Sequence, residues 1–166
     1  MAGSSLKSDP EALVQVMRQI PSAVTIITAG NGGRSRGVTI GSFTSLSMDP
    51  PLVSFNLARE SQMHTIMESA QSFVVHIPDS EQQDLCNRFA MPNLEDEEQF
   101  EGVEVSRVIS GAPVLKGMIA EIHCLVVRKI TAGDHTIIIG EIREIHHHRT
   151  DSAMIYLDGA YRNLSL

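Results

Sequence analysis

The sequence predicts a mainly β protein, with antiparallel strands rolled into a closed or nearly closed barrel and short helices at its periphery. Three observations predict it. Runs rich in β-branched and apolar residues, such as "SAVTIITAG", "LVSFNLA" and "SFVVHIP", recur along the chain between Gly, Pro and Asp. Two long runs, "GMIAEIHCLVVRKI" and "HTIIIGEIREIHHH", flank Gly133 and Asp134, which suit a tight hairpin turn. The helical patterns between strands are short. Hairpin-linked strands of this kind remove their exposed edges by closing on themselves.

The elements follow in order. Ser8 or Asp9 caps a first helix with Pro10 at its first position; Leu13, Val14, Met17 and Ile20 recur at helical spacing until Pro21 stops it. "SAVTIITAG" is a strand, "GNGGRSRG" a glycine-rich turn and "VTIGSFTSL" a second strand, so residues 22–46 read as a hairpin. "MDPP" is a turn, and "LVSFNLA" is a strand apolar on both faces, as core strands are. "ESQMHTIMESA" is a short helix with Ser61 as its N-cap, and "SFVVHIP" a strand. "DSEQQDLCNRFA" is a second short helix capped near Asp79 or Ser80, with Leu85 and Phe89 on one face. The acidic "MPNLEDEEQFEG" is a surface loop or helical turn, and "VEVSRVISGAPVL" carries short strands. After the long hairpin, "AMIYLDGAYRNLSL" gives a last strand and an irregular end. No repeat or low-complexity linker divides the chain, so residues 1–166 read as a single domain.

Composition narrows the function. With 166 residues the chain can bury a core without staples. No apolar run reaches the roughly 18 residues that span a bilayer, and "MAGSSLKSDPEALVQVM" has no basic segment followed by an apolar one. A cytoplasmic protein is expected, with no membrane partner. The formal charge is −7, basic residues are scattered, and Trp is absent, so neither a basic stripe nor stacking platforms argue for nucleic acid. Cys86 and Cys124 lie in unrelated contexts without CxxC spacing and read as free, buried thiols.

The densest polar cluster is "RSRGVTIGSFTSLSMDPPLVSFNL". A strand followed by a hydroxyl-rich loop offers backbone N–H groups and hydroxyls without bulk, which suits a planar heteroaromatic ring with a phosphate tail. The same residues suit a solvated strand face with threonines chosen for β propensity. "NLARESQMHTIM" sets Arg59 and Ser61 at a helix start, either as a phosphate site or as an ordinary N-cap beside a surface arginine. "NRFAMP" reads as a C-terminal Arg88 against the helix dipole and a core Phe89. Glu144, His146 and His148 alternate on one strand face, but ligands two apart lie roughly 7 Å apart along a strand, so no metal is expected. No HExxH or GxGxxG motif is present.

At "GVTIGSFTSLSMDPPLVSFNL", joined to "SQMHTI", "NRFA" and "AGDHTIIIGEI", the sequence resembles the flavin reductase-like family, small NAD(P)H:flavin oxidoreductases that serve two-component monooxygenases. The resemblance runs from about residue 11 to 163. It implies a split β-barrel with Greek-key strands in a homodimer, with FMN or FAD near the subunit interface and NADH or NADPH as co-substrate. It implies flavin contacts at Thr39, Ile40, Ser42, Ser45 and Leu46. It assigns the ribityl-phosphate side to Asn56, Leu57, Arg59 and Ser61, with His64 beside them, and sets Arg88 and Phe89 near the flavin or its phosphate. His135 is the residue expected where nicotinamide docks, and Tyr161 of "YRNL" is expected to help close the site. A passive FMN carrier, a reductase of another acceptor such as a corrinoid or an iron complex, and a cofactor-free interaction domain are the alternatives.

Overall fold

The computed structural model describes residues 9–31, 33–108, 111–148 and 152–165. The strands are β1 (Ser22–Ala23), β2 (Thr25–Asn31), β3 (Arg34–Ile40), β4 (Thr44–Met48), β5 (Pro51–Ala58), β6 (Ser72–Ile77), β7 (Val105–Arg107), β8 (Pro113–Leu115), β9 (Ala120–Ala132), β10 (His135–His147), β11 (Ser152–Leu157) and β12 (Ala160–Ser165). The helices are α1 (Pro10–Arg18), α2 (Gln62–Met67) and α3 (Gln83–Ala90). A seven-stranded antiparallel sheet runs in the order β3-β2-β6-β9-β10-β5-β4. Its two edges, β3 and β4, are consecutive in the chain and joined only by Gly41, Ser42 and Phe43. From Ile40 to Thr44 the backbone reaches at most roughly 14 Å. The sheet therefore curls until its edges meet at that corner, which makes a barrel split along the β3–β4 seam. No helix among the described residues is long and apolar enough to cross a membrane.

The barrel interior holds Ile27, Val53, Phe55, Leu57, Phe73, Val75 and Ile138, and α2 plugs one end with Met63, Ile66 and Met67. Phe55 and Phe73 meet edge to face with ring centroids 5.3 Å apart. A second apolar cluster, Ile26, Cys86, Phe89, Leu115, Met118 and Met154, packs α3 and β11 onto the outside of the barrel. His76 joins the layers: one ring nitrogen meets the Ile26 carbonyl at 3.1 Å, and Nε2 accepts the Leu115 N–H at 3.0 Å. That pairing puts the proton of the neutral ring on Nδ1 and ties β2, β6 and β8 together.

Several expectations change. "VTIGSFTSL" is two strands, because the chain breaks at Gly41–Phe43 and crosses from one sheet edge to the other. The C-terminal end is regular: β11 and β12 form a hairpin around Asp158 (φ 52°) and Gly159 (φ 75°). Two positive φ values in a two-residue loop are the type I′ pattern, and the Asp-Gly pair was its signal. Asp79 caps the turn ahead of α3 with a reciprocal box to Gln82, and the acidic segment does hold a helical turn, Glu98–Phe100. That segment is latched by Asp96, which accepts from Arg34 and from the buried Arg36 at 2.9 and 2.8 Å. Helix α1 forms as read, but buries none of its residues; Leu13, Val14, Val16, Met17 and Ile20 are 49–62% exposed.

Two outcomes follow from the packing. A Cβ on Gly140 would sit 2.4 Å from the ring of Phe73, which is fully buried. Gly140→Ala should cost about 1–3 kcal/mol in urea unfolding, the range for overpacking. Burial lowers the His76 pKa from 6.5 to about 4. Below pH 6.5 the unfolded chain takes up a proton there that the folded chain refuses, so stability falls as pH drops toward 4. The loss should be on the order of 3 kcal/mol, read by urea unfolding at pH 7 and pH 4 and absent in a His76→Gln background.

Candidate functional site

Of the expected site residues, those of β3, β4 and β5 together with Ser42, Arg59, Ser61 and His135 lie around the barrel seam and the adjoining end of β5. Register places them. β10 pairs with β5 so that His135 faces Ala58 and Ile137 faces Asn56. β4 pairs with β5 so that Thr44 faces Ser54 and Ser45 faces Val53, with a bulge at Leu46. Ser42 reaches the same strand: its Oγ accepts the Asn56 N–H at 2.9 Å. Moving along β5 from Val53 to Ala58, roughly 17 Å of strand, one meets Ser45, Thr44, Ser42 and then His135.

The hairpin turn is built to carry that histidine. Gly133 has φ 62° at the first loop position, the type II′ arrangement that only glycine adopts without strain. Asp134 follows, and its carboxylate lies 2.7 Å from His135 Nδ1. That bond, first among its causes, holds the Asp134 carboxyl below its ordinary range. The Asp134 carbonyl accepts the Arg59 N–H at 2.9 Å, which brings the end of β5 onto the turn. His135 is about half exposed and Arg59 is exposed.

Ser61 caps α2: its Oγ accepts the His64 N–H at 3.2 Å and donates to the Ala58 carbonyl at 2.8 Å. The His64 ring turns inward, with Nε2 2.9 Å from the hydroxyl of buried Thr136 and Nδ1 3.6 Å from Glu68. It links α2 to β10 instead of facing outward. The side chain of Leu57 is core, so only its backbone is open to a ligand.

On the other side of Gly41 lies a cleft of about 600 Å³ lined by Ser22, Thr39, Ile40, Gln83, Asn87 and Tyr161 among others. Thr39 Oγ1 donates to the Cys86 carbonyl at 2.7 Å and so fixes α3 against β3. Burial pushes the Tyr161 hydroxyl up to about 12, and its ring meets Tyr156 edge-on at 5.3 Å. The cleft walls carry no ionised side chain at neutral pH. Gln83, Asn87 and Ala90 line it from the face of α3 next to the one that buries Cys86 and Phe89. Sequence reasoning missed Gln83 and Asn87; their four-residue spacing on the polar face of a short amphipathic helix was the available signal.

The structure does not bring Arg88 and Phe89 to either place. Phe89 is buried against Phe100 and beneath Gly37. Arg88 turns into a separate groove among Asp84, Glu98, Glu101 and Glu104, and donates to the Glu101 carbonyl. Cys86 and Cys124 are buried with thiols pushed up to about 12, which makes poor nucleophiles. Glu144 pairs with His146 at 3.0 Å, and among the described residues no three His, Cys, Asp or Glu side chains converge on a cation position.

This arrangement fits a planar ring carrying a phosphate. β4 is a sheet edge, so its outer backbone N–H and C=O groups are unpaired by the sheet and free to meet the alternating donors and acceptors of a heteroaromatic edge. Leu46 and Met48, 50% and 85% exposed, offer apolar surface beside it, and Arg59 supplies the cation.

Comparison with known proteins agrees. The family model described as "Flavin reductase like domain" matches residues 17–165. A flavin reductase of Pseudomonas putida is 36% identical over 154 residues, 92% of this chain and 89% of that protein. HsaB, the reductase subunit of a flavin-dependent monooxygenase of Rhodococcus jostii, is 30% identical over 156 residues, 94% of this chain and 78% of that protein. The NADH:FAD oxidoreductase of Streptomyces globisporus C-1027, solved with NAD and FAD fragments, has a TM-score of 0.87 at 30% identity over 97% of this chain and 98% of that one. With its family model spanning nearly the whole length and its fold reproduced in a solved relative, this chain belongs to the flavin reductase-like family.

Proposed function

We propose that this protein is an NAD(P)H-dependent flavin reductase, which passes a hydride from NADH or NADPH to FMN or FAD and supplies reduced flavin to a partner monooxygenase in the cytoplasm. One contact carries the reading: the Arg59 N–H to Asp134 carbonyl bond sets a phosphate-binding arginine beside the one exposed histidine of the hairpin turn, at the end of an open strand edge. The related Rhodococcus and Streptomyces proteins, a monooxygenase reductase subunit and an NADH:FAD oxidoreductase, support the assignment.

When bound, the flavin supplies the hydride-accepting N5 atom. The protein's part is orientation and electrostatics. The backbone of Ser45 and Leu46, with the hydroxyl of Ser42, offers hydrogen bonds to the edge of the ring, and Arg59 with Asn56 and Ser61 flanks the phosphate side. Thr39, Ile40 and Tyr161 wall the neutral cleft beside the seam. His135 meets the dinucleotide, so that nicotinamide is held at hydride-transfer distance.

The working unit is a homodimer with flavin near the interface. Helix α1 supports this: Leu13, Val14, Val16 and Met17 on the helix, with Ile20 just beyond it, leave an apolar face on the surface that a second copy would cover. Met17→Glu together with Val14→Glu should convert the wild-type dimer to a monomer in light scattering and weaken flavin binding; an unchanged dimer would overturn the role of α1.

The function is tested by titration. The protein with added FMN or FAD should lose its absorbance near 450 nm anaerobically when NADH or NADPH is added, and a flavin that stays oxidised would mean a carrier. His135→Ala should raise KM for NAD(P)H roughly three- to ten-fold, the worth of one hydrogen bond, with flavin affinity little changed. Lost flavin binding at unchanged KM would reverse that assignment.

A further inference from the structure

The turn residue Asp134 does two jobs besides suiting the turn. Its backbone carbonyl holds Arg59, and its carboxylate holds His135. A type II′ turn requires glycine at its first position and favours Asp, Asn or Ser at the second, so Asp134 suits the turn, and its carboxylate reaches beyond the turn to the His135 ring. The Asp134 side chain is 92% exposed, so it is not there for packing. Its partner is the Nδ1 atom of His135, at 2.7 Å.

An ionised carboxylate can only accept a hydrogen bond, so the nitrogen facing it carries the proton. The neutral His135 ring is then protonated at Nδ1 and bare at Nε2. A free imidazole ordinarily prefers the opposite tautomer. No partner is recorded for Nε2 among the described residues, and the ring is 45% exposed on the outward face of the sheet, where Asn56 and Ala58 also lie. A bare, outward Nε2 is a hydrogen-bond acceptor and takes an N–H or O–H donor; the phosphates of a dinucleotide offer none, and the carboxamide NH₂ is the donor carried by the ring that must meet the flavin.

We propose that Asp134 is a positioning residue that fixes His135 in the Nδ1-protonated tautomer, and that the Nε2 atom so presented accepts a hydrogen bond from the carboxamide NH₂ of the nicotinamide. The inference rests on the reading that His135 meets NAD(P)H. The arrangement has a physical advantage. The amide is bound by a neutral ring, so the site discriminates a carboxamide from a carboxylate on the pyridine ring: the acid analogue would bring an acceptor against an acceptor.

The test separates the two layers. Nitrogen-15 NMR of the flavin-loaded protein at pH 8 should show His135 protonated at Nδ1 in the wild type and in Asp134→Asn, whose side-chain oxygen can still accept. Asp134→Ala should move the proton to Nε2. Kinetically, Asp134→Ala should raise KM for NADH about three- to ten-fold with kcat and flavin affinity within about two-fold, and Asp134→Asn should rescue most of the loss. Nicotinic acid adenine dinucleotide, used as an inhibitor, should bind several-fold more weakly than NAD⁺ to the wild type and lose that disadvantage in Asp134→Ala. An Nδ1 proton that persists in Asp134→Ala overturns the positioning role. A tautomer that moves without a change in KM, or wild-type protein that binds the acid and amide dinucleotides alike, overturns the carboxamide contact. If His135→Ala leaves KM unchanged, the underlying reading fails, and the NMR result still decides what Asp134 does to the ring.

Discussion

The register of β10 against β5 is the constraint on which the site depends. β10 is hydrogen-bonded on both sides, to β5 and to β9, and the pairing puts His135 opposite Ala58 and opposite Ala132. Alternation then sends His135 outward and Thr136 inward to the His64 ring under α2. A slip of one residue would bury the histidine and expose the threonine. The register is pinned by the two-residue turn at Gly133 and by Ile138, which has to enter the barrel interior beside Phe55 and Phe73. The position of a surface group is thus set by core packing a few residues away.

The second constraint is the seam. A fully closed barrel would pair β4 with β3 and consume the outer backbone of both. Here three residues, Gly41 to Phe43, carry the chain across the gap, and Ser42 satisfies the Asn56 N–H with its side chain where a strand would have used its carbonyl. The edge left open is short, bulged at Leu46 and followed by two prolines, features that also discourage pairing with another strand. The same devices leave backbone donors available to a ligand. The charged corner at Arg59 and the neutral cleft at Thr39 and Tyr161 lie on either side of this gap, which gives the site a cationic, anion-accepting end and an uncharged end.

The sequence carried much of this. Strand periodicity found most of the elements, and the Gly-Asp turn, the Ser61 cap and the Asp79 cap were legible because each is a local rule about one or two residues. The errors came where tertiary geometry decides. "VTIGSFTSL" has unbroken β character, and only closure of the sheet shows that it must cross a seam. The ring of His64 sits in a helical motif that suits a ligand, but its partner Thr136 lies 72 positions away, at a distance no local pattern reports. Arg88 and Asn87 are neighbours in sequence; on α3 they are rotated by about 100°, which sends one into an acidic groove and the other into the cleft. The α1 periodicity predicted an amphipathic helix, and the structure leaves its apolar face exposed.

The distribution of titratable groups completes the argument. Three buried groups are silenced: both thiols are pushed up to about 12, and His76 stays neutral down to about pH 4 with both nitrogens engaged. None of them can compete for a hydride acceptor, a metal or a proton in the neutral range. The groups that can hold charge near the seam, Arg59, Asp134 and His135, are gathered at one outward corner by a single backbone hydrogen bond. A protein whose redox chemistry is delegated to a bound ring needs this division, because a reactive thiol or a mobile proton near a reduced ring would open side reactions. The core supplies rigidity and register without chemistry, and the corner that it positions supplies charge and hydrogen bonds.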